Sequence, residues 1–315
     1  EWAKDVLAVK QQHTGVLRSL LDKVEDSPGV GEQALGFPLI ADEKREIAKL
    51  LGMTDPDEND AAGTPLPAHT LFVIGPDRTN RATVLYPATT GRNFAEVLQL
   101  VESLVQSEPA PAPAAQSAPC EPPVPDFQIR VGAALPDFPC KTTTGDFGFH
   151  EFLGRDPSWT VLFTYPKDFK PSVAAEMWAC HSMAERFKEQ GVKVIGLSSS
   201  SVPEHEQWTK DVVPASEAEG SKLSFPLIAD EGREIAARLG VLDPNERDAS
   251  GAPLPARAFF LIAPDKTNRA TILYPAAAGG NFEEVLRLAV SLRLAQDGKL
   301  ATPGNWQSGD RVLVA

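Results

Sequence analysis

The sequence predicts an α/β protein, a sheet with helices on both faces. Three observations predict it. Strand-like and helix-like segments alternate through the second half of the chain, the strands are apolar runs of buried type, and one block of sequence occurs twice. The repeat sets the architecture. "FPLIADEKREIAKLLGMTDP" starts at Phe37 and "FPLIADEGREIAARLGVLDP" at Phe225. The match continues without a gap: 45 of the 69 positions from Phe37 to Val105 are identical to Phe225 to Arg293. Upstream, "EWAKDV" at Glu1 matches "QWTKDV" at Gln207.

Residues 1–105 thus read as the second half of a unit, with a helical insertion at about 10–36. The first copy has thirty residues between Val6 and Phe37 where the second has twelve between Val212 and Phe225. Within the insertion, Val16, Leu17, Leu20, Leu21 and Val24 fall at helical spacing over Thr14–Asp26, with Thr14 as candidate N-cap. The strands "FPLIAD", "HTLFVIGP" and "RATVLYP" follow. Residues 106–127 alternate Pro and Ala and read as a semi-extended linker.

Residues 128–315 read as a complete unit. A hairpin-like lead-in around "TTTGDFGFHEFLG" precedes a strand at Thr160–Tyr165 and a helix at Ala174–Gln190. Next come the strand "VKVIGLSS", a helix over Glu204–Lys210, the strand "FPLIAD" and the helix "GREIAARLG". The strands "ARAFFLIAPD" and "RATILYPA" and a helix at Asn281–Leu294 complete the order. The first copy lacks counterparts of the first two strands and the long helix. A sheet cut there leaves an open edge and a bare apolar face, at a cost of several kcal/mol at ~25 cal/mol per Å². Upstream residues, the second copy or another protein must cover it, with Thr14–Asp26 as a lid. Leu17, Leu20, Leu21 and Val24 are the candidate interaction residues.

The net charge of −13 argues against nucleic acid or an anionic membrane as main partner. No apolar run reaches the length of a spanning helix. The first residue is Glu and no signal peptide is visible, so a longer precursor is expected. Cys120, Cys140 and Cys180 show no C-x-x-C or metal-ligand spacing, and the five histidines form no metal motif. A reducing compartment is expected, without metal or cofactor.

"DFGFHEFLGRDPSWTVLFTYPKDF", "FPLIADEGREIAARLGVLDP", "ILYPA" and "ATPGNWQSGDRVLV" together resemble the one-cysteine peroxiredoxins, the peroxiredoxin 6-like subfamily. "LYPATTGRNF" of the first copy is similar as well. The resemblance implies a thioredoxin-like fold and peroxide reduction by a thiolate. Members carry Pro-x-x-x-Thr/Ser-x-x-Cys where the first strand meets the long helix. In this chain Pro166 matches, Lys170 stands at the Thr/Ser and Val173 at the peroxidatic cysteine. The family's Glu falls on Glu176 and its Arg on Arg257, whose first-copy counterpart is His69. Tyr165 replaces a common His.

Peroxide reduction needs a thiolate that attacks the O–O bond and becomes a sulfenic acid, and valine has no lone pair to offer. Cys180 lies two helical turns further on and reads as a small buried apolar group. Ser172 reads as an N-cap. The family's phospholipase residues map onto Ser158, His150 and Asp265. The string around Ser158, "DPSWT", lacks the glycines of G-x-S-x-G, and turn or cap roles account for all three residues. No catalytic residue is therefore expected in 128–315. The chain reads as a catalytically degenerate, tandem peroxiredoxin-like subunit of a larger assembly or homo-oligomer. The alternatives are a thiol peroxidase whose cysteine precedes Glu1, or a residual hydrolase acting through Ser158.

Overall fold

The computed structural model describes residues 40–76, 79–107, 129–156, 158–213, 222–274, 278–296 and 300–314. Thr14–Asp26, Cys120 and Trp2 lie outside them. Glu1–Lys44 and Arg45–Ala315 are separate units. Of the first, residues 40–44 are described and carry no strand or helix. This corrects the strand expected at "FPLIAD" of the first copy over residues 40–42. Its second-copy equivalent, Leu227–Ala229, is a strand because it pairs with Val192–Ser198, whereas among the described residues no strand pairs with residues 40–42.

In the second unit the first copy supplies helix α1 (Glu46–Leu50), strands β1 (Thr54–Asn59), β2 (Pro65–Pro67), β3 (His69–Ile74) and β4 (Asn80–Tyr86), and helix α2 (Phe94–Ser107). The lead-in forms the pair β5 (Pro139–Cys140) and β6 (Phe147–Gly148), then a short helix, α3 (Phe149–Arg155), which the sequence reading did not foresee. Next come β7 (Trp159–Thr164), α4 (Pro171–Ser182), α5 (Ala184–Glu189), β8 (Val192–Ser198), α6 (Val202–Val212) and β9 (Leu227–Ala229). The second copy continues with α7 (Glu234–Arg238), β10 (Leu242–Arg247), β11 (Pro253–Pro255), β12 (Arg257–Ile262), β13 (Asn268–Tyr274) and α8 (Phe282–Ala295). The terminal pair is β14 (Leu300–Ala301) and β15 (Leu313–Val314). The single helix expected over Ala174–Gln190 is two. Met183 breaks it, its N–H shared between the carbonyls of Ala179 and Cys180.

The main sheet runs β3-β4-β13-β12-β7-β8-β9. β7, β8 and β9 are parallel and the other pairings antiparallel. Alternation along the strands explains their continuous apolar character. Val161, Phe163, Val194 and Leu261 face α2, α4, α6 and α8, whereas Leu162, Ile195, Phe260 and Ile262 face α3, α7 and the lead-in. Both faces are covered, so both sets are apolar. Phe163 is central to one core, with the rings of Phe225, Phe259 and Phe282 within 5.5–6.2 Å.

The second copy thus meets the first at β4, not at the far edge of β3. β4 and β13 pair through Thr83↔Leu273, Val84↔Ile272 and Leu85↔Thr271. Val84 faces its own repeat counterpart, Ile272, and the flanking pairs are each other's counterparts, so a local two-fold axis passes between Val84 and Ile272. The side chains obey it too. Tyr86 donates to Glu284 (3.1 Å) and Tyr274 to Glu96 (2.6 Å); Asn93 donates to Glu284 and Asn281 to Glu96, both at 2.6 Å. This is the self-complementary geometry of a two-fold dimer, made within one chain.

The C-terminal segment locks the start of α2. Asn305 Oδ1 accepts from the Phe94 N–H (2.9 Å), and Thr302 Oγ1 from the Gly91 N–H (3.1 Å). A Cβ on Gly91 would lie 1.9 Å from the Pro303 carbonyl oxygen, so only glycine allows this approach. Asn305 also adopts φ 58°, which asparagine tolerates better than most residues. Asn305→Ala is expected to lower stability by about 1–2 kcal/mol, the value of a lost cap. Urea unfolding monitored at the buried Trp306 checks it.

Candidate functional site

β7 delivers the chain to the turn Tyr165–Lys170, and Pro171 opens α4 at its first helical position, where a missing N–H costs nothing. Phe169 has φ 61°, an unusual value for an aromatic residue, and lies against Trp208 at 6.5 Å between ring centroids. Lys170 occupies the N-cap without a side-chain cap bond. Ser172 is therefore not the N-cap expected from sequence. It sits inside the first turn, and its hydroxyl accepts from an Arg257 N–H at 3.2 Å.

Arg257, at the start of β12, reaches the same turn. Its Nε donates to Glu176 at 2.8 and 2.9 Å. Glu176 Oε1 also accepts the Gly280 N–H at 2.6 Å. A Cβ on Gly280 would lie 2.5 Å from the Phe259 ring, so glycine is required where the backbone approaches the carboxylate. Burial raises Glu176 above the usual carboxylate range, against the pull of Arg257. Val173, on which the resemblance puts the cysteine, lies between Ser172 and Glu176 and is fully buried in the core with Met177 and Cys180. Lys170 is paired with Glu246. The turn thus holds a guanidinium, a carboxylate and a hydroxyl around a hydrocarbon. It can fix an ion pair, and nothing at Val173 can attack a peroxide.

Beneath the turn lies a buried network that the sequence reading missed. Asp168 Oδ2 is 2.7 Å from His205 Nδ1, and Asp168 Oδ1 accepts from the Tyr165 hydroxyl at 2.9 Å. The Asp168 N–H donates to Ser200 Oγ, and His205 Nε2 lies 3.3 Å from the Ile228 carbonyl. Burial and the Asp168 charge hold the Tyr165 phenol well above its ordinary value. The network ties the turn to α6 and β9. Asp168 and His205 lie 37 residues apart, and no spacing rule joins them.

The remaining candidates make structural bonds. Ser158 Oγ donates to the Asp156 carbonyl. His150 Nε2 lies 2.8 Å from the Leu135 carbonyl, and Asp265 accepts from Thr267 within its own turn. His150 and Asp265 lie on adjoining segments, since the Leu135 N–H donates to the Lys266 carbonyl at 3.1 Å, but the bonds of all three residues go to other residues rather than to one another. Cys140 and Cys180 are buried. Burial pushes the Cys140 thiol up to about 12 and that of Cys180 well above its ordinary value, the opposite of an activated nucleophile. Among the described residues, no cluster of His, Cys, Asp and Glu could hold a metal ion, and no helix is long and apolar enough to cross a membrane.

Residues 131–270 match the AhpC/TSA family. Peroxiredoxin-6 of Gallus gallus is 45% identical over 187 residues, covering 59% of this chain and 83% of the relative. The 1-Cys peroxiredoxin of Dirofilaria immitis is 41% identical over 196 residues, with the same coverage. Among solved structures, a cysteine-to-serine mutant of Arenicola marina peroxiredoxin 6 superposes with a TM-score of 0.56 at 44% identity, covering 59% of this chain and 84% of its own. Yeast mitochondrial 1-Cys peroxiredoxin gives 0.52 at 34% identity, covering 59% and 87%. The sheet order, the Arg257–Glu176 turn and these similarities lead to one conclusion: the chain belongs to the peroxiredoxin family, on its peroxiredoxin 6-like branch, with the thioredoxin-like fold.

Proposed function

We propose that the chain is a tandem peroxiredoxin-like protein whose complete unit has lost peroxide chemistry and serves as a structural or interaction subunit. The observation that carries this reading is Val173, a buried hydrocarbon at the position that the family pattern gives to the peroxidatic cysteine. Lys170 in place of the Thr/Ser supports it, since its ammonium is committed to Glu246 and offers no hydroxyl to orient a peroxide. Cys140 and Cys180 do not substitute, because burial disfavours both thiolates. The retained Arg257–Glu176 pair fits a scaffold role, joining α4 to β12 without chemistry.

The test is stopped-flow peroxide consumption by the chain with excess dithiothreitol. The expected rate is that of dithiothreitol alone, and turnover at the rate of a working peroxiredoxin would reject the reading. A second expectation concerns Val173→Cys combined with Lys170→Thr. The new thiol stands beside Arg257 and the α4 N-terminus, which favour thiolate, but inside the core, which opposes it. Iodoacetamide labelling across pH is expected to place it below Cys140 and Cys180. Labelling no earlier than theirs would show a pocket decayed beyond these two positions.

A further inference from the structure

We infer that the outer edge of β3 and the adjoining face of α2 are the seat of the front half of a peroxiredoxin-like unit, a strand–helix–strand partner segment of the kind that Trp159–Ser198 forms. The inference deepens the scaffold reading and rests on it. The chain carries its own control, because the same residues occur twice. Ile74 is 65% exposed and its counterpart Ile262 is 0% exposed; Phe94 is 53% exposed against 4% for Phe282, and Leu98 59% against 6% for Leu286. Identical side chains at equivalent positions are covered in the second copy and open in the first.

The second copy shows what lies beside β12 and over α8. β12 pairs with β13 on one side and with β7 on the other, Ile262 lying beside Thr160 on the face that α3, α7 and the lead-in cover, opposite to α8. β3 pairs with β4 and ends the sheet, so among the described residues its outer edge has no strand. The Phe282 ring meets Phe163 of β7 edge-on at 5.5 Å. Over α8 lies α5, joined to it by Arg186–Glu283 and by Arg293 donating to the Gln190 carbonyl. The occupant is therefore a strand antiparallel to β3, with a large apolar side chain toward Phe94, followed by a helix that crosses α2. A second copy of the present chain does not fit as it stands, since its own β7 is already held between β12 and β8.

The differences between the copies specify the partner further. Ala95 stands at the position of Glu283 and Val105 at that of Arg293. The partner helix thus meets apolar side chains where α5 meets charges. His69 stands at the position of Arg257, so the start of the partner's first helix faces an imidazole. His69 Nδ1 lies 3.1 Å from the Thr90 carbonyl, which fixes the ring at this edge.

The test repeats residues 129–206 immediately ahead of Glu1 in the full chain, which places a front half in register with "EWAKDV". Hydrogen exchange at the β3 amides not bonded to β4 is expected to slow by about 100-fold or more relative to the parent. Fluorescence of a hydrophobic dye on the folded protein is expected to fall several-fold. Leu98→Asp should leave the melting temperature of the parent unchanged and lower that of the chimera. Unchanged β3 exchange, or equal responses of parent and chimera to Leu98→Asp, overturns the inference. A parent that sediments as a dimer and dissociates on Leu98→Asp also overturns it, because a second copy then covers the face. Should the chimera be insoluble, tagged 129–213 is co-expressed with the parent. Its capture, lost on Leu98→Asp, supports the seat, and soluble 129–213 that is not captured overturns it. Peroxide turnover by the parent would remove the scaffold reading without changing any of these outcomes.

Discussion

Arg257→Leu is expected to destabilise the chain by about 3 kcal/mol or more at neutral pH, the cost of breaking a buried ion pair from one side. Both side chains are nearly enclosed, Arg257 3% and Glu176 10% exposed, so water cannot take over the lost partner. Glu176 keeps the Gly280 N–H but loses its cation. The penalty depends on pH. The folded-state pKa of Glu176 already lies above its ordinary value, because burial outweighs Arg257. A raised carboxylate binds its proton more tightly folded than unfolded. Its contribution is therefore fullest below the ordinary carboxylate value and is lost as pH rises through the raised one. Removing the guanidinium carries that loss to higher pH. The variant should lie closest to the parent near pH 4 and furthest from it near pH 7–8, on the order of several kcal/mol apart. Adding Glu176→Gln removes the buried charge, keeps an acceptor for Gly280 and should recover at least about half of the loss. Urea titrations at the two pH values check all three. A single variant as stable as the parent at neutral pH would mean that the pair contributes nothing to the fold.

The fold was legible in the sequence where local signals and the repeat agree. The strand order of the second copy, the apolar runs of β7, β8 and β12, and the last helix lie within a few residues of the segments read from sequence. The Arg257–Glu176 contact, 81 residues apart in the chain, was accessible because the family pattern names both members. Other features left no local trace. The periodic apolar signal runs straight through Met183, where no Gly or Pro announces the break between α4 and α5. Ser172 has the right type for a cap, but the tertiary reach of Arg257 claims its hydroxyl. Asp168 and His205 look like ordinary surface residues until the fold encloses them. The contact surface of the first copy was the least legible. Both edges of a two-strand block are open in sequence, and the choice of β4 over β3 depends on self-complementarity around Val84 and Ile272, which only the paired register reveals.

That two-fold junction is not symmetric in charge. Glu284→Ala is expected to cost about 3–5 kcal/mol, as for a buried pair broken from one side, whereas Glu96→Ala should cost about 2 kcal/mol. The two glutamates occupy equivalent repeat positions, and each accepts from a tyrosine and an asparagine of the opposite copy. Burial and the facing carboxylate hold both phenols well above their ordinary value. The difference lies one helical turn on. Arg287 donates twice to Glu284 at 2.7 Å, and the first copy has Gln99 at that position. Losing Glu96 leaves a hydroxyl and an amide short of an acceptor. Losing Glu284 does the same to Tyr86 and Asn93 and also strands a buried guanidinium, to which the Trp306 carbonyl offers a neutral acceptor but no charge. Arg287→Gln in the Glu284→Ala background gives the same two residues as Glu96→Ala beside Gln99 and should bring the loss down toward that of Glu96→Ala, because no unpaired cation then remains inside. Urea unfolding of the three variants measures the difference. If Glu284→Ala proved no more costly than Glu96→Ala, Arg287 would have found solvent or another anion, and the junction would be held by its hydrogen bonds and the β4–β13 ladder alone.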